Sequence, residues 1–241
     1  MTVTNGTFNT LGYAATIGNL TSNNSNVRAI NLGASTISGL VTSTVNFTNS
    51  VNLAFNAGTS TLNSNDGGNV TFTGGGQTFY NVSSATSAGV INLTINGSNV
   101  FNNLSVSTSS TTGINQIILA ANQTVNGTLT VAGASAVRRV FLQSDTIGTP
   151  RTLTVNAISA TDCDFRDIVL AGTAAGASPT RAGNCGNNTG ITFPATKTVY
   201  WNLAGAQNWS ATAWATSSGG TPAANNFPLA QDTAVFDNTI A

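Results

Sequence analysis

The sequence predicts an all-β chain, a right-handed parallel β-helix (β-solenoid) followed by a small Trp-rich β module. Three observations lead there. First, short strands that end on an apolar residue recur along the chain: Ser35-Thr36-Ile37, Ser60-Thr61-Leu62, Gln77-Thr78-Phe79, Asn99-Val100-Phe101, Gln123-Thr124-Val125 and Arg151-Thr152-Leu153. The steps between those apolar residues are 25, 17, 22, 24 and 28. A period in this range marks a stacked array in which each unit buries its apolar face against its neighbours. Second, Phe72, Ile95 and Leu119 lie six or seven residues before Phe79, Phe101 and Val125, so stacked coils place them in an interior column. Third, only 6% of the 241 residues are charged and there is no Glu and no His, so the surface is built from Asn, Thr, Ser and Gly, which favour strands and turns over helix. An antiparallel sandwich also alternates short strands with turns. The solenoid is preferred because corners recur at matching places in each repeat.

Residues 1–25 are expected to be an irregular entry or capping segment, with Phe8, Leu11, Tyr13, Ile17 and Leu20 covering the open end of the stack. The β-helix is expected over 26–193. Its strands include Ala29–Leu32, Val51–Phe55, Asn69–Phe72, Ile91–Ile95 and Ile117–Leu119, each followed by a small polar corner such as Asn56-Ala57-Gly58 or Gly74-Gly75-Gly76. No Lys-Ser/Thr pair or helix follows the triple glycine, which is a corner rather than a phosphate loop. A Trp-rich module, expected to be incomplete, occupies 194–241 and contains all three tryptophans.

Charge excludes several partners. The formal net charge is zero, and residues 1–137 carry only Arg28 and Asp66. No basic patch is available for nucleic acid or an anionic membrane surface. No apolar run is long enough to span a bilayer, so no membrane insertion is expected. The N-terminus has neither the basic head nor the apolar stretch of a Sec signal peptide. A composition of this extracellular kind then suggests a virion protein released by lysis, export by a C-terminal signal, or a fragment. The strand-like end at Phe236–Ala241 suggests that the parent chain continues.

The densest charge cluster is Asp162-Cys163-Asp164-Phe165-Arg166-Asp167. As a strand it points Cys163 and Phe165 inward and Asp162, Asp164 and Arg166 outward. Paired carboxylates serve glycosidases, and hard oxygen ligands suit calcium, so these three residues are the candidate catalytic set of a polysaccharide-cleaving β-helix. The alternative is a surface charge ladder in which Arg166 pairs with neighbouring Asp. The absence of His rules out Ser-His-Asp or Cys-His chemistry within this chain. Cys163 and Cys185 lie about one repeat apart, compatible with a disulfide between adjacent coils or with two buried thiols. Two cysteines without His do not make a usual zinc site, so no metal and no cofactor is expected. Tyr200, Trp201, Trp209 and Trp214 are candidates for stacking on a cell-surface glycan, or for a small aromatic core. The Asn-X-Thr/Ser triplets are what an Asn-, Ser- and Thr-rich chain produces by chance.

The segment Lys197–Ser210, containing Tyr200-Trp201 and Gly205-Ala206-Gln207-Asn208-Trp209-Ser210, continues to Trp214 and Asp232-Thr233-Ala234-Val235-Phe236-Asp237. This pattern resembles a module of large phage and bacterial surface proteins. The upstream Asp164–Ile168 and Cys185–Phe193 resemble the β-helical stretch that precedes it. The resemblance covers about 80 residues and brings no catalytic set. It implies a structural or host-recognition part of a tail fibre, tailspike, head fibre or adhesin, at the virion or cell surface, with self-association or other virion proteins as partners.

Overall fold

The computed structural model describes residues 1–41, 44–64, 68–86, 89–109 and 111–237, so Asp66 lies outside the described residues. The chain winds through stacked parallel rungs. The first three rungs each have three strands: β1 (Gly6–Asn9), β2 (Ala15–Thr16), β3 (Leu20–Thr21); β4 (Arg28–Asn31), β5 (Thr36–Leu40), β6 (Val45–Asn46); β7 (Leu53–Asn56), β8 (Thr61–Ser64), β9 (Gly68–Thr73). The later rungs have two: β10 (Thr78–Ala85), β11 (Ile91–Asn96); β12 (Val100–Ser107), β13 (Asn115–Leu119); β14 (Gln123–Ala132), β15 (Val140–Ser144); β16 (Arg151–Thr161), β17 (Cys163–Arg166); β18 (Ile168–Ala171), β19 (Gly183–Asn184). Two eight-stranded sheets run the length of the stack, and a three-stranded sheet, β1-β4-β7, lines its lower part. Among the described residues the only helical element is a 3-10 turn at Ala224–Asn226.

Residues 1–25, expected as an entry or capping segment, are more regular than the sequence suggests. They form the first rung itself: β1, β2 and β3 pair in register with β4, β5 and β6, and Thr2 bridges to Thr21 beneath them. Gly6, Gly12 and Leu11 supply the positive-φ corners that this short first turn needs.

Inward residues of successive strands pair one above another. Phe72, Ile95 and Leu119 form one column, as expected. Ile37, Leu62, Val82, Leu104 and Leu129 form a second. Phe79, Phe101, Val125 and Val155 form a third. The sequence alignment therefore slipped twice: Leu62 stacks on Val82 rather than Phe79, and Val125 stacks on Val155 rather than Leu153. The first marks a real change of coil; at the second, Leu153 stands opposite the buried Gln123. At the first, β8 is preceded by the corner Ala57–Ser60, whereas β10 runs straight through the same place, so the three-sided coil becomes two-sided. Phe47, Phe55, Phe72, Phe79 and Phe101 fill the core at that change, with ring centroids 4.8–6.2 Å apart. Each fully buried Leu, Ile or Phe contributes about 1.5–3 kcal/mol, against about 0–1 for a partly exposed ion pair, so these columns carry the stability.

Polar side chains are stacked too. Asn103 Nδ2 donates to Asn81 Oδ1 (2.9 Å), and Asn81 Nδ2 to Thr61 Oγ1 (3.3 Å). At Asn126-Gly127, β14 has one residue more than its neighbours on either side, a β-bulge. The displaced Thr128 N–H donates to Asn103 Oδ1 (2.8 Å). Arg28 is buried and, among the described residues, pairs with no carboxylate. Its guanidinium donates to Ser22 Oγ (2.6 Å) and to the carbonyls of Ser22 (3.0 Å), Asn26 (2.8 Å), Asn49 (2.7 Å) and Val51 (2.7 Å), stapling two successive coils.

Above β19 the chain forms a separate small sheet, β20 (Thr198–Trp201), β21 (Trp214–Ala215) and β22 (Thr233–Val235), ordered β21-β20-β22. Gln231 fastens it to the stack: its Nε2 donates to Ala182 O (3.1 Å), and its Oε1 accepts from Asn184 N (2.8 Å).

Two stability predictions follow from the stapled and bulged rungs. Replacing Arg28 by Met orphans four carbonyls and is expected to cost about 3 kcal/mol or more; Arg28→Lys, with three donors instead of five, should recover only part. Urea unfolding midpoints of the two variants check this. A methyl group at Gly127 would overlap the Asn103 amide and the Asn102 carbonyl. Gly127→Ala should therefore lower stability by about 1–3 kcal/mol in thermal melts.

Candidate functional site

The charge cluster sits where β16 turns into β17. Cys163 and Phe165 are fully buried, as the alternation requires. Asp162 does not point outward. It is the corner residue, with a left-handed φ of 53°, and only 2% of it is exposed. The positive φ breaks the strand alternation before β17 starts, and an Asp tolerates that conformation better than most residues. Asp164 is on the outer face and half-buried, and Arg166 likewise.

Both carboxylates are taken up by arginines. Arg181 grips Asp162 in a two-pronged pair, Nε to Oδ1 and Nη2 to Oδ2, each 2.6 Å. Arg139 grips Asp164, with Nε 2.8 Å from Oδ2 and Nη2 2.7 Å from Oδ1, and its Nη1 lies 3.4 Å from Asp162 Oδ1. Arg139 Nη2 also donates to the carbonyls of Arg181 (2.6 Å) and Cys163 (3.3 Å). Sequence reasoning passed over Arg139 and Arg181. The available signal was the repeat: Arg139 precedes Asp164 by 25 residues, one coil. Arg166 turns away from both acids, donating to Gln143 Oε1 and lying 5.5 Å over the Phe141 ring. Asp167 is a second buried left-handed corner, accepting from Gly148 N (3.1 Å) and Asn187 Nδ2 (2.6 Å). Arg151 beside Asp145 holds that carboxyl below its usual range. Asp232 accepts the N–H groups of Lys197 (3.0 Å) and Leu229 (2.9 Å). These carboxylates are engaged as structural acceptors. Among the described residues no group of three or more His, Cys, Asp or Glu could hold a metal ion.

Cys163 and Cys185 are free thiols. Asp164 stands opposite Gly183 and Phe165 opposite Asn184, so Cys185 follows on opposite Arg166. The two cysteines are therefore three residues out of register, about 10 Å along the strands, beyond the reach of a disulfide. Burial is the main cause that pushes the Cys163 thiol well up and the Cys185 thiol up to about 11.

The four aromatic candidates are not one platform. Trp214 is 1% exposed, at the centre of a cluster: Trp201 (5.2 Å), Trp209 (4.8 Å) and Phe236 (5.5 Å) pack edge-on around it. Its faces are covered, so it cannot stack on a sugar. Tyr200 and Trp201 are half-buried, and Trp201 Nε1 donates to Leu203 O (2.8 Å). Trp209 is half-exposed and lies beside the more exposed Phe236.

The fold and this cluster define a class: a parallel β-solenoid closed by a small aromatic-centred sheet. No family model matches the chain, and no curated protein or solved structure matches it.

The thiols carry a pH prediction. A thiol whose folded pKa is raised keeps its proton where the unfolded chain loses it. Its stabilising effect is complete below the ordinary thiol pKa and is lost as pH rises through the folded value. Melting temperature should therefore fall between about pH 9 and 11. Cys185→Ser should flatten part of that fall, Cys163 accounting for the rest; thermal melts across the window check it.

Proposed function

We propose that the chain is a non-enzymatic structural or surface-recognition solenoid, a component of a phage virion (tail fibre, tailspike or head fibre) or of a surface adhesin. One observation carries this reading: the acids that an enzyme of this architecture would need, Asp162 and Asp164, are each gripped by an arginine. A general acid or base must be free to exchange a proton with substrate, and neither carboxylate is. Stiffness supports the same reading, since eight in-register strands in each long sheet make a rod rather than a hinged cleft. The low-charge, Asn- and Thr-rich surface suits contact with neutral polar partners or with other copies, outside the cell or on the virion. The resemblance of the Tyr200–Asp237 segment to phage and bacterial surface modules points the same way.

Incubation with capsular and pectin-like polysaccharides, with and without calcium, is expected to release no new reducing or unsaturated ends. Sustained depolymerisation that Asp162→Asn or Asp164→Asn abolishes, in variants with wild-type melting curves, would replace this reading with that of a polysaccharide-degrading β-helix.

A further inference from the structure

The change from three-sided to two-sided coils leaves a trough on one side of the rod. β7 is the last strand of its sheet, and among the described residues no strand pairs with its upper side. Between it and the upper rungs lies a cavity of about 250 Å³, walled by Asn56-Ala57-Gly58 and floored by Tyr80, Asn102 and Asn126. A second cavity, about 240 Å³, shares Asn126 and continues over Thr154 and Asn156 to the corner Gly172-Thr173. Corners thus close the trough at both ends, and the first halves of β10, β12, β14 and β16 form its floor.

That floor is ordered. Phe79, Phe101, Val125 and Val155 stack inward, and the residues that follow them, Tyr80, Asn102, Asn126 and Asn156, each line one or both of the cavities. Two residues earlier, Thr78, Val100, Thr124 and Thr154 form a column in register. At about 4.8 Å per rung, four rungs span about 14 Å from first to last. The adjacent Asn81–Asn103 column spends its amides on the protein itself. Asn102, Asn126 and Asn156 do not: among the described residues none hydrogen-bonds these three amides. Each therefore presents a donor and an acceptor to whatever lies in the trough. The bulge at Asn126-Gly127 falls within this floor, a common place for bulges near binding surfaces.

We propose that this trough is a binding site for a neutral, unbranched oligosaccharide lying along the rod axis. The proposal rests on the surface-recognition reading and names where that recognition occurs. Three features select the ligand. No charged side chain lines either cavity, which disfavours phosphate, sulfate and uronate. The amides of Asn102, Asn126 and Asn156 with the hydroxyls of Thr78, Thr124 and Thr154 match a chain of hydroxyl pairs, and Tyr80 lines one end. The column that starts at Thr78 runs across the strands, whereas a peptide adding to the β7 edge would run along them.

The test is a panel of short neutral oligosaccharides of the gluco, galacto and manno series, with matching uronic-acid oligomers and extended peptides, titrated against the full chain. Wild type is expected to bind a neutral member. The double variant Asn126→Ala/Asn156→Ala should weaken binding by about tenfold or more, the worth of one or two hydrogen bonds. Its melting curve should match wild type, because these amides support no contact within the protein. Trp209→Ala should bind as wild type. Binding of no neutral member, of uronic acids only or of peptides only would overturn the assignment. So would equal binding by the Asn double variant, or loss on Trp209→Ala alone. Attachment to whole cells that survives in the Asn double variant would sink the trough and leave the recognition reading standing.

Discussion

In-register parallel pairing of every rung is the constraint on which the rest of this molecule depends. A strand within the stack must meet the rung below and the rung above with the same spacing, so strands cannot shift individually without turning an apolar column outward. Length can change only where pairing is relaxed, at corners and at a bulge. The chain uses both. It drops a corner before β10 and adds a residue in β14, and each change is absorbed without disturbing the columns on either side. The phenylalanine cluster sits at the first of these places because a change of cross-section leaves volume that only large side chains fill.

The same constraint explains the polar economy of the surface. An amide repeated once per coil meets its own kind at hydrogen-bond distance, as Asn103 meets Asn81 and Asn92 meets Asn69 (2.6 Å). A charge repeated once per coil would meet a like charge, so a low-charge rod is the easier one to stack. Where charges do cluster, at the top of the stack, they alternate in sign from rung to rung. Arg139 reaches up to Asp164, and Asp162 reaches up to Arg181. Arg28 departs from this rule: carbonyls at the corners of two successive coils take the place of a counter-ion.

Much of the architecture was legible in the sequence because apolar residues alternate with polar ones and the alternation recurs. The column Phe72, Ile95 and Leu119 could be named from spacing alone. Asp162 was misassigned for a physical reason. A left-handed residue resets the alternation, and nothing in the local pattern announces that Asp162 occupies that conformation while Asp164 does not. For the cysteines the spacing left a disulfide and two thiols both open: a separation of about one coil locates two residues on adjacent rungs but leaves register open by several positions. Trp214 could not be told from Trp209 by composition, since the ring at the centre and the ring at the rim belong to the same short Trp-rich stretch. The trough was hidden because it arises from a corner that one rung has and the next lacks, a comparison between layers rather than a motif within one.

A pile of near-identical layers has no inherent last member, because the uppermost backbone offers the same hydrogen-bonding groups as the one beneath it. Here the backbone at Thr189 covers β18, and Gln231 covers part of β19 with one side chain. Its amide has the donor and acceptor of a peptide unit and sits on β19 where a ninth strand would lie, donating to Ala182 and accepting from Asn184. The small sheet thereby occupies, through a single glutamine, part of the edge that a further layer would need.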